Sequence, residues 1–375
     1  MKQLIKLSPW LKRLYSIQVP FQDDLGAMDL DDLNLGDFKY YKESESLTQY
    51  TSLKQPIIFI SKLNNPFTNL AIEDYIYNAM PLSHNRLMFY INSPCVVIGK
   101  NQNPWQEVNL RVLNDLKIPL LRRFSGGGTV VHDLGNVNYS YMTEKSKFNR
   151  FKFNQLIIKN VNSLPNNKFE IQLNERGDIV TTDGFKVSGS AFKLSKGKSY
   201  HHGTFLLNSK LNVLRNLLSR DDEMGVVHSK SIDSVKSKVQ NMELQTEEFI
   251  ESVCNGFIDE FETDDDRVRV VEIDNDMILP NEVYTTVEKL KSWDWIFGHT
   301  TKFSHTFTKD DLELVFHVDK GLLKQVDVNK TEDDFKYLIE YVNNHDLKYT
   351  GSNVAGYVTN DEVSDWIGSC IDGTI

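Results

Sequence analysis

Just past Pro56, Ile57-Ile58-Phe59-Ile60 is a continuous apolar run of the length of a strand buried on both faces. Asn64-Asn65-Pro66 follows as a turn, and Thr68 is placed to cap a helix. Ile72, Tyr75, Ile76, Ala79 and Met80 recur at i, i+3, i+4, i+7 and i+8, the apolar face of that helix. Residues 87–91 and Cys95–Ile98 read as strands around Ser93-Pro94, 110–116 as a helix, and 119–121 as a strand leading into a glycine loop. Residues 137–142 alternate as a strand does, and 154–164 predict a helix. Residues 179–182 and 185–188 predict a hairpin turning at Asp183-Gly184. Helices are expected at Leu211–Leu218, 247–261 and 333–342, with late strands at 312–317 and Leu322–Val328.

This mixture predicts an α+β fold with a mixed or antiparallel sheet. Asp264-Asp265-Asp266 and Leu279-Pro280-Asn281 mark a boundary, so we expect a large unit at 56–285 and a small α+β accessory unit at 286–375. The N-terminus differs from both. Residues 1–22 carry Lys2, Lys6, Lys12 and Arg13, no acidic residue, and apolar positions that can share one helix side. That composition predicts a mitochondrial transit peptide, whose removal takes four positive charges and turns the formal net charge of −10 into −14. Residues 23–55 open with Asp23, Asp24, Asp29, Asp31, Asp32 and Asp37 and predict an acidic linker.

A net charge of −10 speaks against a nucleic-acid partner. No apolar run approaches the roughly 18 residues that cross a bilayer, so no membrane partner is expected. Cys95, Cys254 and Cys370 are odd in number and widely spaced, which gives neither a disulfide framework nor a zinc pattern. A reducing compartment follows.

Candidate chemistry gathers in two blocks. Arg122-Arg123-Phe124-Ser125-Gly126-Gly127-Gly128-Thr129-Val130-Val131-His132-Asp133 sets three glycines between a basic pair and a His-Asp pair. Glycines let backbone amides approach a ligand closely, and a basic pair beside them fits an anion such as phosphate. The block matches neither the Walker A pattern nor the dinucleotide fingerprint. The second block is Lys186-Val187-Ser188-Gly189-Ser190-Ala191, closing at His201-His202-Gly203-Thr204. A strand lysine beside small residues can aim one positive charge into a pocket. His201 and His202 have no third ligand at metal spacing, so no metal site is expected.

In this order the blocks resemble the lipoate–protein ligase A and lipoyltransferase family, of the fungal mitochondrial type. Asn69-Leu70-Ala71-Ile72-Glu73, residues 96–105, Ser234-Val235-Lys236-Ser237-Lys238-Val239 and Trp293-Asp294-Trp295-Ile296-Phe297-Gly298 resemble further family segments. The similarity is clear over 57–305. It implies the biotin/lipoyl protein ligase catalytic fold and transfer of lipoyl or octanoyl groups, through an acyl-adenylate, to protein lysines. The implied acceptors are the lipoyl domains of 2-oxoacid dehydrogenase acyltransferase subunits and the glycine-cleavage H protein. ATP and lipoate would be substrates, Mg2+ would arrive with ATP, and no cofactor would be permanently bound. The enzyme would act as a monomer in the mitochondrial matrix. By resemblance Lys186 is catalytic. Arg123, Gly128, Thr129, Val130, Val131, Lys186, Ser190 and Ala191 would hold the adenylate, and Ser125, His132, Lys186 and His202 would line the lipoate site.

Val96, Val97, Ile98 and the helix face at 72–75 are candidates for the walls of an acyl tunnel, and equally for plain core. Thr129 stands where alanine is common in the family, and Gly177 where many ligase-type relatives carry asparagine. Neither block holds a cysteine, unlike octanoyltransferases that work through a thioester. Two other readings share these residues: an ATP-independent amidotransferase that takes lipoyl from a donor protein, and a non-catalytic lipoyl-domain-binding protein.

Overall fold

A computed structural model describes residues 45–329 and 332–374; the expected transit peptide and all but the end of the acidic stretch lie outside the described residues. The centre is a six-stranded mixed sheet in the order Ser190–Ser195, Lys198–Leu206, Asn136–Glu144, Arg86–Tyr90, Ile57–Ser61, Arg269–Ile273. Ile57–Ser61 runs parallel to both its neighbours, and the other pairings are antiparallel. Every residue of Ile57–Ser61 and Arg86–Tyr90 is buried, as the apolar runs at 57–60 and 87–90 require when both sheet faces are covered.

The alternation of side chains sorts those strands into two cores. Ile57, Phe59, Met88, Tyr90 and Met142 pack with the helices Pro66–Ala79 and Asn281–Lys291 on one face. Ile58, Ile60, Leu87, Phe89, Tyr139 and Tyr141 pack with Lys152–Asn162 and Thr246–Phe261 on the other. The cap of the helix after the first strand lies three residues before Thr68. It is Asn65, accepting from the amides of Phe67 and Thr68, and Pro66 takes the first turn, where a missing N–H costs nothing. The expected hairpin at Asp183-Gly184 forms, with Ile179–Thr181 against Lys186–Ser188 and Gly184 at φ +84°.

A small sheet, Leu120–Arg122, Cys95–Ile98 and Val130–His132, sits beside the main one. Its odd and even positions serve different cores. Cys95 and Val97 face the Pro66–Ala79 side, whereas Val96 and Ile98 join Trp105 in a core shared with the C-terminal unit. That unit is an antiparallel sheet of Val226–Ser229, Phe303–Lys309, Leu312–Asp319, Leu322–Val328 and Leu347–Lys348, backed by helices including Lys336–Asn344 and Asp361–Ile371.

The expected boundaries at 55 and 285 do not coincide with the packing. Leu47–Thr51, inside the stretch read as linker, is a short helix whose Leu47 and Tyr50 enter the main core. The helix Asn281–Lys291 spans residue 286 and buries Val283, Val287 and Leu290 in the catalytic side. Pro280, read as a break, is that helix's N-cap. Val226–Ser229 pairs with Phe303–Lys309, so a strand from the middle of the chain completes the C-terminal sheet.

Four histidines, His132, His201, His202 and His305, are buried among the described residues. Burial pushes His132, His201 and His305 down to about 3. At His305 the hydrogen bonds suit the neutral ring: Nε2 meets the Met224 carbonyl at 2.7 Å and Nδ1 meets the Tyr349 hydroxyl at 2.9 Å, while neither ring nitrogen of His201 has a hydrogen-bond partner among the described residues. The unfolded chain takes up protons near pH 6.5, so it binds more protons than the native state between 6.5 and 3. Stability is therefore full above pH 6.5 and falls as pH drops through this window, by about 1.4 kcal/mol per pH unit for each histidine. Urea unfolding from pH 7.5 to 5 should follow this slope, and His201→Phe should remove about a third of the histidine contribution.

Candidate active site

Arg122 ends one strand of the small sheet, Arg123 follows it, and the two do different jobs. Arg122 is fully buried and has no carboxylate partner among the described residues. Its guanidinium donates to the carbonyls of Lys100 at 2.9 Å, Gln102 at 2.7 Å, and Trp295 and Ile296 at 3.0 and 2.9 Å. Arg123 donates instead to the carbonyls of Gly126 and Gly128, at 2.6 and 2.7 Å, and so fixes the shape of the glycine loop. Burial pulls both guanidinium groups down to about 10, which leaves them cationic at neutral pH.

Two glycines shape this loop, one within it and one beneath it. Gly127 sits at φ +86°. A Cβ on Gly99 would lie 2.0 Å from the Gly127 carbonyl oxygen, so the loop rests directly on the backbone of the neighbouring strand end. A Cβ on Gly126, by contrast, would meet nothing within 4 Å.

A cavity of about 210 Å³ opens beside the loop. Arg123, Gly128, Thr129, Val130, His132, Lys186, Ser190, Ala191 and His202 all line it, so residues of both blocks share one space. Two of the expected site residues do not line it. Val131 turns its side chain into the core with Val96 and Ile98, because strand alternation sends Val130 and Val131 to opposite sides. Ser125 lies beneath the wall, with its hydroxyl on His202. Of the tunnel candidates only Val97 reaches the cavity. Leu70 and Tyr90 complete the apolar lining in place of Val96, Ile98 and the 72–75 face.

The polar groups beneath the wall form chains with fixed directions. Glu73 Oε1 lies 2.9 Å from His202 Nδ1, and Ser125 Oγ lies 2.7 Å from His202 Nε2. Arg123 Nε donates to Ser125 Oγ at 3.1 Å. With the carboxylate as acceptor at one end and the guanidinium as donor at the other, a neutral His202 ring carries its proton on Nδ1 and accepts from Ser125 at Nε2. A second chain ends on His132. Asn69 Nδ2 donates to Asn92 Oδ1 at 2.9 Å, which leaves Asn92 Nδ2 to meet His132 Nδ1 at 3.0 Å. Neutral His132 is thus left with its proton on Nε2. His201, one residue from His202, faces away and is enclosed by Tyr139, Phe153 and Phe192.

Lys186 Nζ pairs with Asp178 Oδ1 at 2.9 Å, and both groups line the cavity. Segment 230–239 closes one side. Ser234 donates to the Glu107 carboxylate and accepts from the Thr129 amide at 2.8 Å and from Gln102 Nε2 at 3.0 Å. Thr129 Oγ1 adds a bond to Gln102 Oε1 at 3.0 Å, a contact alanine could not make.

Sequence reasoning passed over Glu73, Asp178, Arg176, Glu107 and Ser234 as site residues. Asp178 had a readable signal, since it stands at the mouth of the hairpin that carries Lys186. Glu73 stood at the end of a family-like segment without a role, and Glu107 gave no signal: one acidic residue on a helix looks like solvent-facing charge until its partner is placed.

A family model described as the lipoyl protein ligase A/B catalytic domain matches residues 65–262. A relative from Saccharomyces cerevisiae strain RM11-1a, named "Putative lipoate-protein ligase A", is 39% identical over 335 residues, covering 86% of this chain and 81% of the relative. One of the same name from Schizosaccharomyces pombe is 35% identical over 287 residues, covering 71% and 77%. The crystal structure of P. falciparum LipL1 in complex with lipoate is similar at TM-score 0.56 and 26% identity, over 84% of this chain and 98% of that one. A bipartite lipoate protein ligase system from Thermoplasma acidophilum shares the fold at TM-score 0.51 and 20% identity, over 65% and 96%. With the catalytic-domain model covering more than half of the sequence and the yeast similarity nearly all of it, the chain belongs to the lipoyl protein ligase A/B family.

Proposed function

We propose that the protein is an ATP-dependent lipoate–protein ligase of the mitochondrial matrix. It would act on lipoyl domains of 2-oxoacid dehydrogenase acyltransferase subunits and on the glycine-cleavage H protein. The observation that carries this reading is the shared cavity, where the Arg123-held glycine loop faces Lys186 across one space with an apolar side formed by Leu70, Tyr90 and Val97. The basic, acid-free residues 1–22 support the matrix location.

The chemistry has two displacements. In the first, a lipoate carboxylate oxygen attacks the α-phosphorus of ATP, the bond to the β-phosphate oxygen breaks, and pyrophosphate leaves with Mg2+. Asp178, whose Oδ1 pairs with Lys186, is the cavity carboxylate that would hold that ion through its other oxygen. In the second, the neutral amine of the target lysine attacks the acyl carbonyl, the amine loses a proton to solvent, and AMP departs. Both steps build negative charge on oxygen. A fixed ammonium at Lys186 and the backbone amides of the glycine loop stabilise it without reorganising. Arg123 shapes that loop, while the Glu73–His202–Ser125 chain holds Arg123 in place.

Mixing the protein with ATP, Mg2+ and lipoate should release pyrophosphate. Absence of release, with transfer still seen from a lipoylated donor protein, would overturn ATP use in favour of the amidotransferase reading. Lys186→Ala should cost about 3 kcal/mol or more in barrier, at least a hundredfold in lipoylation rate, with cooperative unfolding retained. Undiminished lipoylation would remove Lys186 from the catalytic step. Gly99→Ala should displace the loop and lower the rate by about a hundredfold, whereas Gly126→Ala should stay within about threefold of wild type. Both are read in the same lipoylation assay.

A further inference from the structure

The rim of the cavity carries a charge opposite to that of the whole protein. Segment 230–239 presents Lys230, Lys236 and Lys238 to solvent with Asp233 as its one acidic residue, on a chain whose formal net charge is −10. Asp233 is bound by Gln106 Nε2 at 2.6 Å. Arg176, also exposed, lines the cavity from the hairpin side. Among the described residues none of these four cations has an ion-pair partner. Apolar side chains stand between them: Ile232 is 50%, Val235 59% and Val239 43% exposed. Val235 itself lines the cavity, so this surface is continuous with the reaction site.

A cationic mouth is a poor entrance for a bare lysine. The side chain to be acylated brings its own positive charge, and Arg123, which has no carboxylate on its guanidinium among the described residues, lies inside beside the Lys186–Asp178 pair. A lysine is drawn in only if its carrier supplies negative charge around it. Exposed β-branched residues inside a charged rim have the layout of a protein–protein contact, an apolar centre with polar edges.

Resting on the ligase reading above, we propose that residues 230–239, together with Arg176, form the docking surface for the acceptor protein, a folded domain with carboxylates flanking its target lysine. The surface selects its partner by charge, whereas the cavity selects the acyl group.

The test uses an unmodified lipoyl domain of a 2-oxoacid dehydrogenase acyltransferase subunit, fluorescently labelled away from its lysine. Its binding is titrated against wild type and against Lys230→Glu combined with Lys236→Glu, at low salt and at high salt. The double variant should weaken binding about tenfold or more at low salt, and the difference should shrink at high salt. Lys230→Gln with Lys236→Gln should shift binding less, in the same direction. Equal affinity for wild type and the charge-reversed variant overturns the docking surface. In parallel, hydroxylamine replaces the acceptor, and acyl-hydroxamate formed from lipoate and ATP is measured. It should be the same in wild type and variant. A fall matching the loss of binding would assign the lysines to ATP capture and overturn the proposal. No hydroxamate from wild type would count against the ligase reading alone, and the docking surface would then be decided by the binding titration.

Discussion

Two adjacent guanidinium groups, buried side by side and answered by carbonyl oxygens in place of carboxylates, organise this protein. Arg122 collects the carbonyls of the turn at 100–102 and those of Trp295 and Ile296, tying the wall of the site to the start of the C-terminal unit. Trp295 returns the bond, donating its ring N–H to the Arg122 carbonyl at 2.6 Å. Arg123 collects the carbonyls of the glycine loop. A buried cation with no counter-charge is costly unless every donor is used, so the backbone carrying those carbonyls has little freedom to move. The amides of the loop are consequently aimed before any ligand arrives. The charge that Arg123 brings is only partly spent on the protein itself, which leaves a positive field for an anion in the cavity.

The same economy governs the cavity's histidines. His202 has both ring nitrogens, and His132 one, committed to a chain of buried polar groups, the first ending on Glu73 and the second running through Asn92 to Asn69. Each chain fixes a tautomer, and so decides which atom of the ring can donate. Buried Asn69, Asn92 and Glu73, unexplained as isolated residues, are the supports of the wall above them.

Much of this was legible in the sequence because it is written in local patterns. The apolar run at 57–60, the hairpin at Asp183-Gly184 and the order of the two glycine-containing blocks all point to the observed fold, and both blocks line the cavity. What escaped depends on tertiary placement. Thr68 and Asn65 are both acceptable caps, and Pro66 decides between them. Val130 and Val131 look alike, and only the pairing with Cys95–Ile98 shows which one faces the ligand space. Pro280 resembles a domain break because its use as a cap rests on a helix whose apolar face finds its partner some two hundred residues earlier, on Pro66–Ala79.

The strand Val226–Ser229 leaves the catalytic side, joins the edge of the C-terminal sheet beside Phe303–Lys309, and returns to form the helix Thr246–Phe261 and the edge strand Arg269–Ile273 of the main sheet. The two units are therefore stitched together. No single peptide bond can be cut to put the six-stranded sheet in one fragment and the five-stranded sheet in the other with both whole. Dividing such a gene into separately encoded halves, or swapping its accessory unit for another, would require moving a strand as well as a domain.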